Sequence, residues 1–268
     1  MATLKILTLN IGGWSFFDLT TPAPYIRDRL EQIPDRLRGT DADIILLQEV
    51  CGVSQEKTLT DQLRSSYPHI RRGGGSLMMF SRKKLSSALF APFRAQTFGE
   101  GLLFSKGFLV TSLEESGYPR VLIMNTHLTS GGVAHPESRK VEAIRREQIA
   151  QMGKGLGASR TPHRILAGDF NAGPQASPGN FKEILSLGFT NCSYGLRIRQ
   201  PITWDPKNLL NVDGPHKNCP DQHIDHVLIT TNIQASARIV FKDADVETYD
   251  RRRVTISDHF GVLATLEM

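Results

Sequence analysis

Short apolar runs separated by turn residues recur along the chain, and few stretches carry the longer period of an amphipathic helix. Leu4–Leu9 alternates as a strand should and ends at Asn10. Ile44–Leu47 is a continuous apolar run, as expected of a strand buried on both faces, and Leu77–Phe80 is another. Gly107–Leu113 and Arg120–Thr126 flank the polar segment Glu114–Pro119, which contains Gly117 and so predicts an antiparallel hairpin. Arg164–Ala167, Ile224–Thr230, Arg238–Phe241 and Val262–Leu266 complete the predicted strands. Helical period shows in three places. Tyr25–Arg38 puts Ile26, Leu30, Ile33 and Leu37 on one face, with Gly39 as a stop and Pro34 as a kink. Glu137–Met152 follows Pro136, carries Val141, Ile144, Gln148 and Met152 on one face, and is predicted to stop at Gly153. Phe181–Leu187 is short and stops at Gly188.

Many strands, a hairpin signal and interspersed helices predict an α/β (α+β) sandwich with helices outside two packed sheets. The length of 268 residues, 40% of them hydrophobic, supports one large domain over residues 1–268. The apolar runs are too short for a transmembrane helix, which needs roughly 18 such residues. The N-terminus enters a strand pattern at once, without the segments of a signal peptide, so the expected location is cytoplasmic. Cys51, Cys192 and Cys219 are far apart and form no CxxC, which supports neither a zinc ribbon nor a disulfide framework. A net charge of +5 fits an anionic partner, nucleic acid or an acidic lipid surface, and equally an ordinary solvated surface. The oligomeric state is left open.

Candidate chemistry gathers where these strands end. Asn10 closes Leu7-Thr8-Leu9-Asn10, Glu49 closes Leu46-Leu47-Gln48-Glu49, and His127 closes Met124-Asn125-Thr126-His127. Asp169 and Asn171 follow Ile165-Leu166-Ala167, Asp225 lies in His223-Ile224-Asp225-His226, and Asp258 and His259 precede the last strand. A lone Asp after a strand is usually a turn residue. Ligand-type side chains at six strand ends, on one plausible rim, are hard to explain that way. Oxygen ligands suit a hard divalent cation, and a histidine beside them can move a proton.

The ordered words LTLN, LQEV, NTHL, GDFN, IDHV and SDHFGV resemble the endonuclease/exonuclease/phosphatase superfamily, whose fold is DNase I-like. The resemblance runs from residue 4 to 266. It implies a four-layered αββα sandwich and Mg²⁺-dependent cleavage of a phosphoester, with Mn²⁺ able to substitute. It also implies roles. Glu49 is the principal metal ligand, with Asn10 beside it and Asp258 as a further ligand. His259 is the general base for the attacking water, and Asp225 orients its imidazole. Asp169 positions or deprotonates that water, and Asn171 and His127 hydrogen-bond the phosphoryl oxygens. A non-catalytic binding module of this fold would be expected to lack one of these groups, yet every matched position holds a competent residue.

Within the superfamily, three segments are similar to neutral sphingomyelinases: Phe104-Ser105-Lys106-Gly107-Phe108, the NTHL word followed by a helix bearing Arg145 and Gln148, and Thr203-Trp204-Asp205-Pro206-Lys207-Asn208. This similarity implies that Lys106 contacts substrate and that the substrate is a phosphodiester, with a phospholipid head group expected. A nuclease stays open as the alternative. Abasic-site endonucleases of the superfamily carry a Lys after the LQE word and a Trp-Arg-Leu-Asp version of the IDHV word, where this chain has Val50-Cys51 and His223-Ile224-Asp225. Arg251-Arg252-Arg253 offers contact to either nucleic-acid backbone or anionic lipid. Trp14-Ser15-Phe16-Phe17 is the expected point of peripheral membrane contact. Gly153-Lys154-Gly155-Leu156-Gly157 follows a helix instead of opening one, so it reads as a cap and loop and not as a phosphate loop. Arg71-Arg72-Gly73-Gly74-Gly75 reads as a flexible connection.

Overall fold

The computed structural model describes residues 2–14, 23–74, 76–103, 105–131, 138–157, 161–195, 201–214 and 216–268. Among them, β1 (Thr3–Asn10), β2 (Ile44–Gln48), β3 (His69–Arg72), β4 (Met78–Ser81), β11 (Gln234–Val240) and β14 (Gly261–Glu267) form one mixed sheet in the order β11-β14-β1-β2-β4-β3. A second mixed sheet runs β5-β6-β7-β8-β10-β9, from β5 (Leu89–Pro92), β6 (Gly107–Leu113), β7 (Val121–His127), β8 (His163–Asp169), β9 (Phe189–Asn191) and β10 (Asp225–Thr230). The predicted hairpin is β6–β7, antiparallel from Phe108↔Thr126 to Leu113↔Val121. A small ribbon joins β12 (Val246–Glu247) and β13 (Arg253–Val254).

Three apolar layers follow from the two-residue period of the strands. Leu4, Ile6, Ile44, Leu46, Ile123, Ile165 and Val227 fill the space between the sheets. Leu7, Leu9, Ile45 and Leu47 face outward, onto α1 (Ile26–Gly39) and α2 (Val53–Leu63). Met124, Leu166 and Leu228 face α4 (Ser138–Gly157) and α5 (Pro178–Leu185). The central strands read as continuous apolar runs because both their faces are covered. The architecture is the expected αββα sandwich. No described helix is long and apolar enough to cross a membrane.

Several local readings change. The chain is helical at α2 and at α3 (Phe98–Leu103), neither of which has a clean apolar stripe; α2 buries Gln55 along with Leu59 and Leu63. Arg71 and Arg72 belong to strand β3 and not to a flexible connection. Helix α4 does not stop at Gly153 but continues to Gly157, so Gly153–Gly157 is neither loop nor cap. A Cβ on Gly155 would stand 3.1 Å from the Phe108 ring, so the missing side chain lets α4 lie close on β6. On α1 the buried stripe is Ile26, Arg29, Ile33 and Leu37, with Arg29 where Leu30 was expected. On α4 Arg145 is buried in the stripe and Ile144 is only partly covered.

Candidate active site

The inter-sheet face changes chemistry along its length. On β1 it reads Leu4, Ile6, Thr8, Asn10; on β2 Ile44, Leu46, Gln48; on β7 Val121, Ile123, Asn125, His127; on β8 Ile165, Ala167, Asp169. Apolar residues fill one end and polar residues the other. A first polar layer ties the sheets together, with Gln48 Nε2 donating to Asn125 Oδ1 (2.6 Å) and to Thr8 Oγ1 (3.1 Å). Asn125 Nδ2 donates in turn to the Leu47 carbonyl at 2.9 Å. Above this layer lie the residues singled out by sequence. Strand register sets His127 beside Asp169, and Asp169 beside Asp225. Asn10 reaches across from the other sheet and donates through Nδ2 to Asp169 Oδ2 at 3.0 Å.

Local sequence explains how each group is presented. In Gly168-Asp169-Phe170-Asn171, Gly168 has φ +142° and a Cβ there would stand 1.9 Å from the Thr126 carbonyl oxygen of the neighbouring strand. Asp169 Oδ1 accepts the Asn171 N–H (2.9 Å), Phe170 is buried, and Asn171 takes φ 47°, which an asparagine tolerates. Asn171 Nδ2 donates to the Leu128 carbonyl at 3.1 Å. Glu49 has φ 56°, a strained value of the kind functional sites retain. In Ser257-Asp258-His259 the serine hydroxyl bonds the Asn10 carbonyl (2.5 Å) and receives the His259 N–H (3.2 Å). The Thr203–Asn208 segment is scaffold for this turn. Thr203 Oγ1 accepts the N–H groups of Ile224 and Asp225, its carbonyl accepts Phe260 N–H, and Asn208 Nδ2 holds the Ser257 carbonyl.

His259 Nδ1 lies 2.9 Å from Asp225 Oδ2, and its Nε2 faces Asp169 Oδ2 at 4.0 Å. Burial alone would lower this imidazole, but the carboxylates of Asp225, Asp258 and Asp169 outweigh it and hold it well above its ordinary value. Burial raises the Glu49 carboxyl to about 6, with Asp258 adding to the effect. Burial, then Asp225, raises Asp169 to about 6. Asp225 Oδ1 is buried with no hydrogen-bond partner. Asp169, Asp225 and His259 present ligand atoms within 4.8 Å of one another. Glu49 and Asp258, which act on each other and on this cluster, complete an oxygen-rich site of crowded carboxylates that fits a hard divalent cation.

Lys106 is buried on the opposite side of His127. Its Nζ meets Glu100 Oε1 (2.8 Å), the Leu128 carbonyl (2.9 Å) and His127 Nε2 (3.0 Å). An ammonium only donates, so His127 accepts at Nε2, and burial with the Lys106 charge keeps the ring neutral. Burial favours the neutral Glu100 carboxyl, but Lys106 and local hydrogen bonds prevail and hold it down at about 2. A small pocket beside them is lined by Trp14, Glu49, Cys51, Glu100, Lys106 and His127. The candidate catalytic, substrate-binding and metal-binding residues named from the sequence thus lie at this one end of the molecule, with Asp258 tied in through Ser257. Phe16 and Phe17 lie outside the described residues. Arg251–Arg253 sit on the exposed β12–β13 ribbon, whose Tyr249 packs on Tyr25. Sequence reasoning missed Glu100, Gln48, Arg29 and the scaffold role of Thr203. For Arg29 there was a signal, a charged residue three places after Ile26 and four before Ile33 on an otherwise apolar stripe.

The geometry has known counterparts. The chain is 27% identical over 233 residues to the "Inositol phosphosphingolipids phospholipase C" of Schizosaccharomyces pombe, which covers 79% of this chain and 52% of that protein. The chain therefore spans about half the length of this curated relative. Sphingomyelinase C from Streptomyces griseocarneus superposes with a TM-score of 0.81 at 20% identity, covering 99% of both chains. The beta toxin of Staphylococcus aureus, in a mutant form solved with bound magnesium ions, superposes with a TM-score of 0.80 at 19% identity, covering 98% of this chain and 99% of that one. These likenesses establish the fold as the DNase I-like sandwich. The model of the endonuclease/exonuclease/phosphatase family matches residues 7–259, so the chain belongs to that family.

Proposed function

We propose that this protein is a Mg²⁺-dependent phosphodiesterase that hydrolyses the head-group phosphodiester of a phospholipid, in the manner of a sphingomyelinase or phospholipase C. The observation that carries the reading is His259, held by Asp225 at 2.9 Å and set beside Asp169 in a cluster of buried carboxylates. Glu49, Asp258 and Asn10 would hold the cation. When bound, Mg²⁺ would polarise the phosphoryl group and offset the carboxylate charge that otherwise keeps His259 protonated. His259 Nε2 takes the proton of the attacking water, and Asp225 stabilises the imidazolium that results. Asp169, fixed by Asn10 and by the Asn171 N–H, orients that water. The Lys106 ammonium would offer its charge, and the Asn171 amide a hydrogen bond, to the phosphoryl oxygens as negative charge builds on them. The name of the fission-yeast relative favours a phosphosphingolipid as substrate.

A side-by-side hydrolysis panel tests this. Sphingomyelin and inositol phosphosphingolipid in detergent micelles, glycerophospholipids, plasmid DNA and abasic DNA are each offered with Mg²⁺, with Mn²⁺ or with EDTA. EDTA-sensitive release of a phosphorylated head group is expected. DNA cleavage without lipid turnover would overturn the lipid reading and move attention to Arg251–Arg253.

A further inference from the structure

Two arginines are fully buried, one in each helical layer, and the mechanism above uses neither. Arg29 on α1 spends all five N–H donors on main-chain carbonyls: Nε on Pro24 (3.0 Å), Nη1 on Ile11 (2.7 Å) and Ile256 (3.1 Å), Nη2 on Gly12 (2.8 Å) and Ala23 (3.1 Å). Arg145 on α4 makes four such bonds on the other side, two to main chain and two to side chains: Nη1 on the carbonyls of Thr129 (2.9 Å) and Gly131 (3.0 Å), Nη2 on Ser177 Oγ (2.7 Å), Nε on Asn180 Oδ1 (3.2 Å). Among the described residues neither guanidinium pairs with a carboxylate. A cation taken out of water without a counter-ion is costly, so packing alone is a poor reason to keep one.

Placement supplies the reason. Both helices connect parallel neighbours, α1 between β1 and β2 and α4 between β7 and β8. Arg29 ties the turn after Asn10 to the residue before Ser257-Asp258. Arg145 ties the turn after His127-Leu128 to the start of α5. Burial lowers each guanidinium to about 10, so both stay charged at neutral pH, and the carboxylates acting on them belong largely to the site. Glu49 and Asp258 act on Arg29; Glu142, Asp169 and Glu100 act on Arg145.

We infer that Arg29 and Arg145 are paired positioning residues: Arg29 fixes the two turns that carry Asn10 and Asp258, and Arg145 fixes the turn after Leu128, whose carbonyl receives both phosphoryl-contacting groups, Lys106 and Asn171. This rests on the metal-dependent reading above. Lysine keeps the charge but cannot span the carbonyls that a planar fork reaches. The test is therefore Arg29→Lys and Arg145→Lys, compared with wild type. Mg²⁺ titration is followed by emission of the two tryptophans, Trp14 in the pocket and Trp204 bridged to the His259 backbone. Turnover is followed on the soluble diester bis(p-nitrophenyl) phosphate. Arg29→Lys should raise the Mg²⁺ midpoint about 10–100-fold, the usual effect of disturbing groups that orient metal ligands. Arg145→Lys should leave that midpoint within roughly twofold while kcat falls about 100-fold, as for a small misplacement of reacting groups. An arm without variants uses hydrogen exchange of the wild type. Mg²⁺ should slow amides of residues 11–13 and 256–259 more than those of residues 129–131. Lower melting temperatures with unchanged Mg²⁺ midpoint and kcat, or uniform exchange slowing, would reduce both arginines to packing. A wild type with no Mg²⁺-dependent signal in either method would overturn the metal reading itself, and the role of Arg29 with it.

Discussion

At the scale of single residues the site is a contest between burial and charge. His259 sits among carboxylates strong enough to override its own desolvation, which makes Asp225 its orienting partner and Asp169 its neighbour across the cleft. His259→Ala should lower turnover about 10²–10⁴-fold, the usual worth of a positioned proton carrier, with an unchanged far-ultraviolet spectrum. Activity within a factor of two or so of wild type would remove His259 from the chemistry. Glu49 and Asp169 carry the opposite strain. Both carboxyls are raised to about 6, so below that pH both hold protons, and the one on Glu49 is a proton that a cation has to displace. The raised values also mean that their ionisation above pH ~6 costs the folded state stability, which a bound cation returns. The gain in melting temperature on adding saturating Mg²⁺ should therefore be small near pH 5 and several times larger near pH 7.5. An equal gain at both pH values would show that Glu49 does not bind the ion.

At the scale of elements, strand ends and the turns after them decide what is presented. Gly168 combines a φ closed to other residues with a backbone oxygen where a side chain would begin. Gly168→Ala has nothing flexible to push aside. About 2 kcal/mol of backbone strain is the minimum expected, a fall of roughly 4–8 °C in melting temperature for a chain of this size. Differential scanning calorimetry measures it, and a melting temperature unchanged within error would show that the turn can be rebuilt. The elements also mark where sequence patterns mislead. Leu30 and Ile144 match the helical period as well as the residues that are buried. The arginines one place before and one place after them are nevertheless the ones turned inward, because the loops below offer each guanidinium a ring of oxygen atoms. Periodicity sees hydrophobicity, and it is blind to a charge satisfied by oxygen atoms as far as 35 or 227 residues away.

At the scale of the whole molecule, the two sheets are joined by oil at one end and by hydrogen bonds at the other. The Gln48–Asn125 pair is the first polar layer under the site and bridges residues 77 positions apart. Asn125→Leu would remove the shortest of the Gln48 Nε2 contacts and leave the Leu47 and Met78 carbonyls without their side-chain donor. Each orphan costs about 1–3 kcal/mol, so the urea midpoint should fall clearly, and turnover with it, because Asn10 and His127 stand directly above this layer. A variant as stable as wild type would mean the sheets are held by their apolar layers alone.

What the sequence determined by itself was local. Apolar runs mark β1, β7 and β8, and the side-chain period of a strand, fixed by its covalent geometry, tells which of their residues share a face. Each strand therefore announced, within a few residues, that an apolar face ends in Asn10, His127 or Asp169. The sandwich followed from the number of such strands, and the ordered words supplied the family. Only the tertiary structure decided which strands are neighbours, and so which groups meet. Asn10 and Asp169 touch across 159 residues and Asp225 holds His259 across 34. Those distances depend on sheet order and on how two twisted sheets pack, which no local period encodes. Arg29 and Glu100 belong to this second class, and so do the partners of Arg145, which the sequence marked without giving it a role. Each is an ordinary charged residue on a helix until the fold takes it out of water, and only then do the partners that satisfy it give it a role.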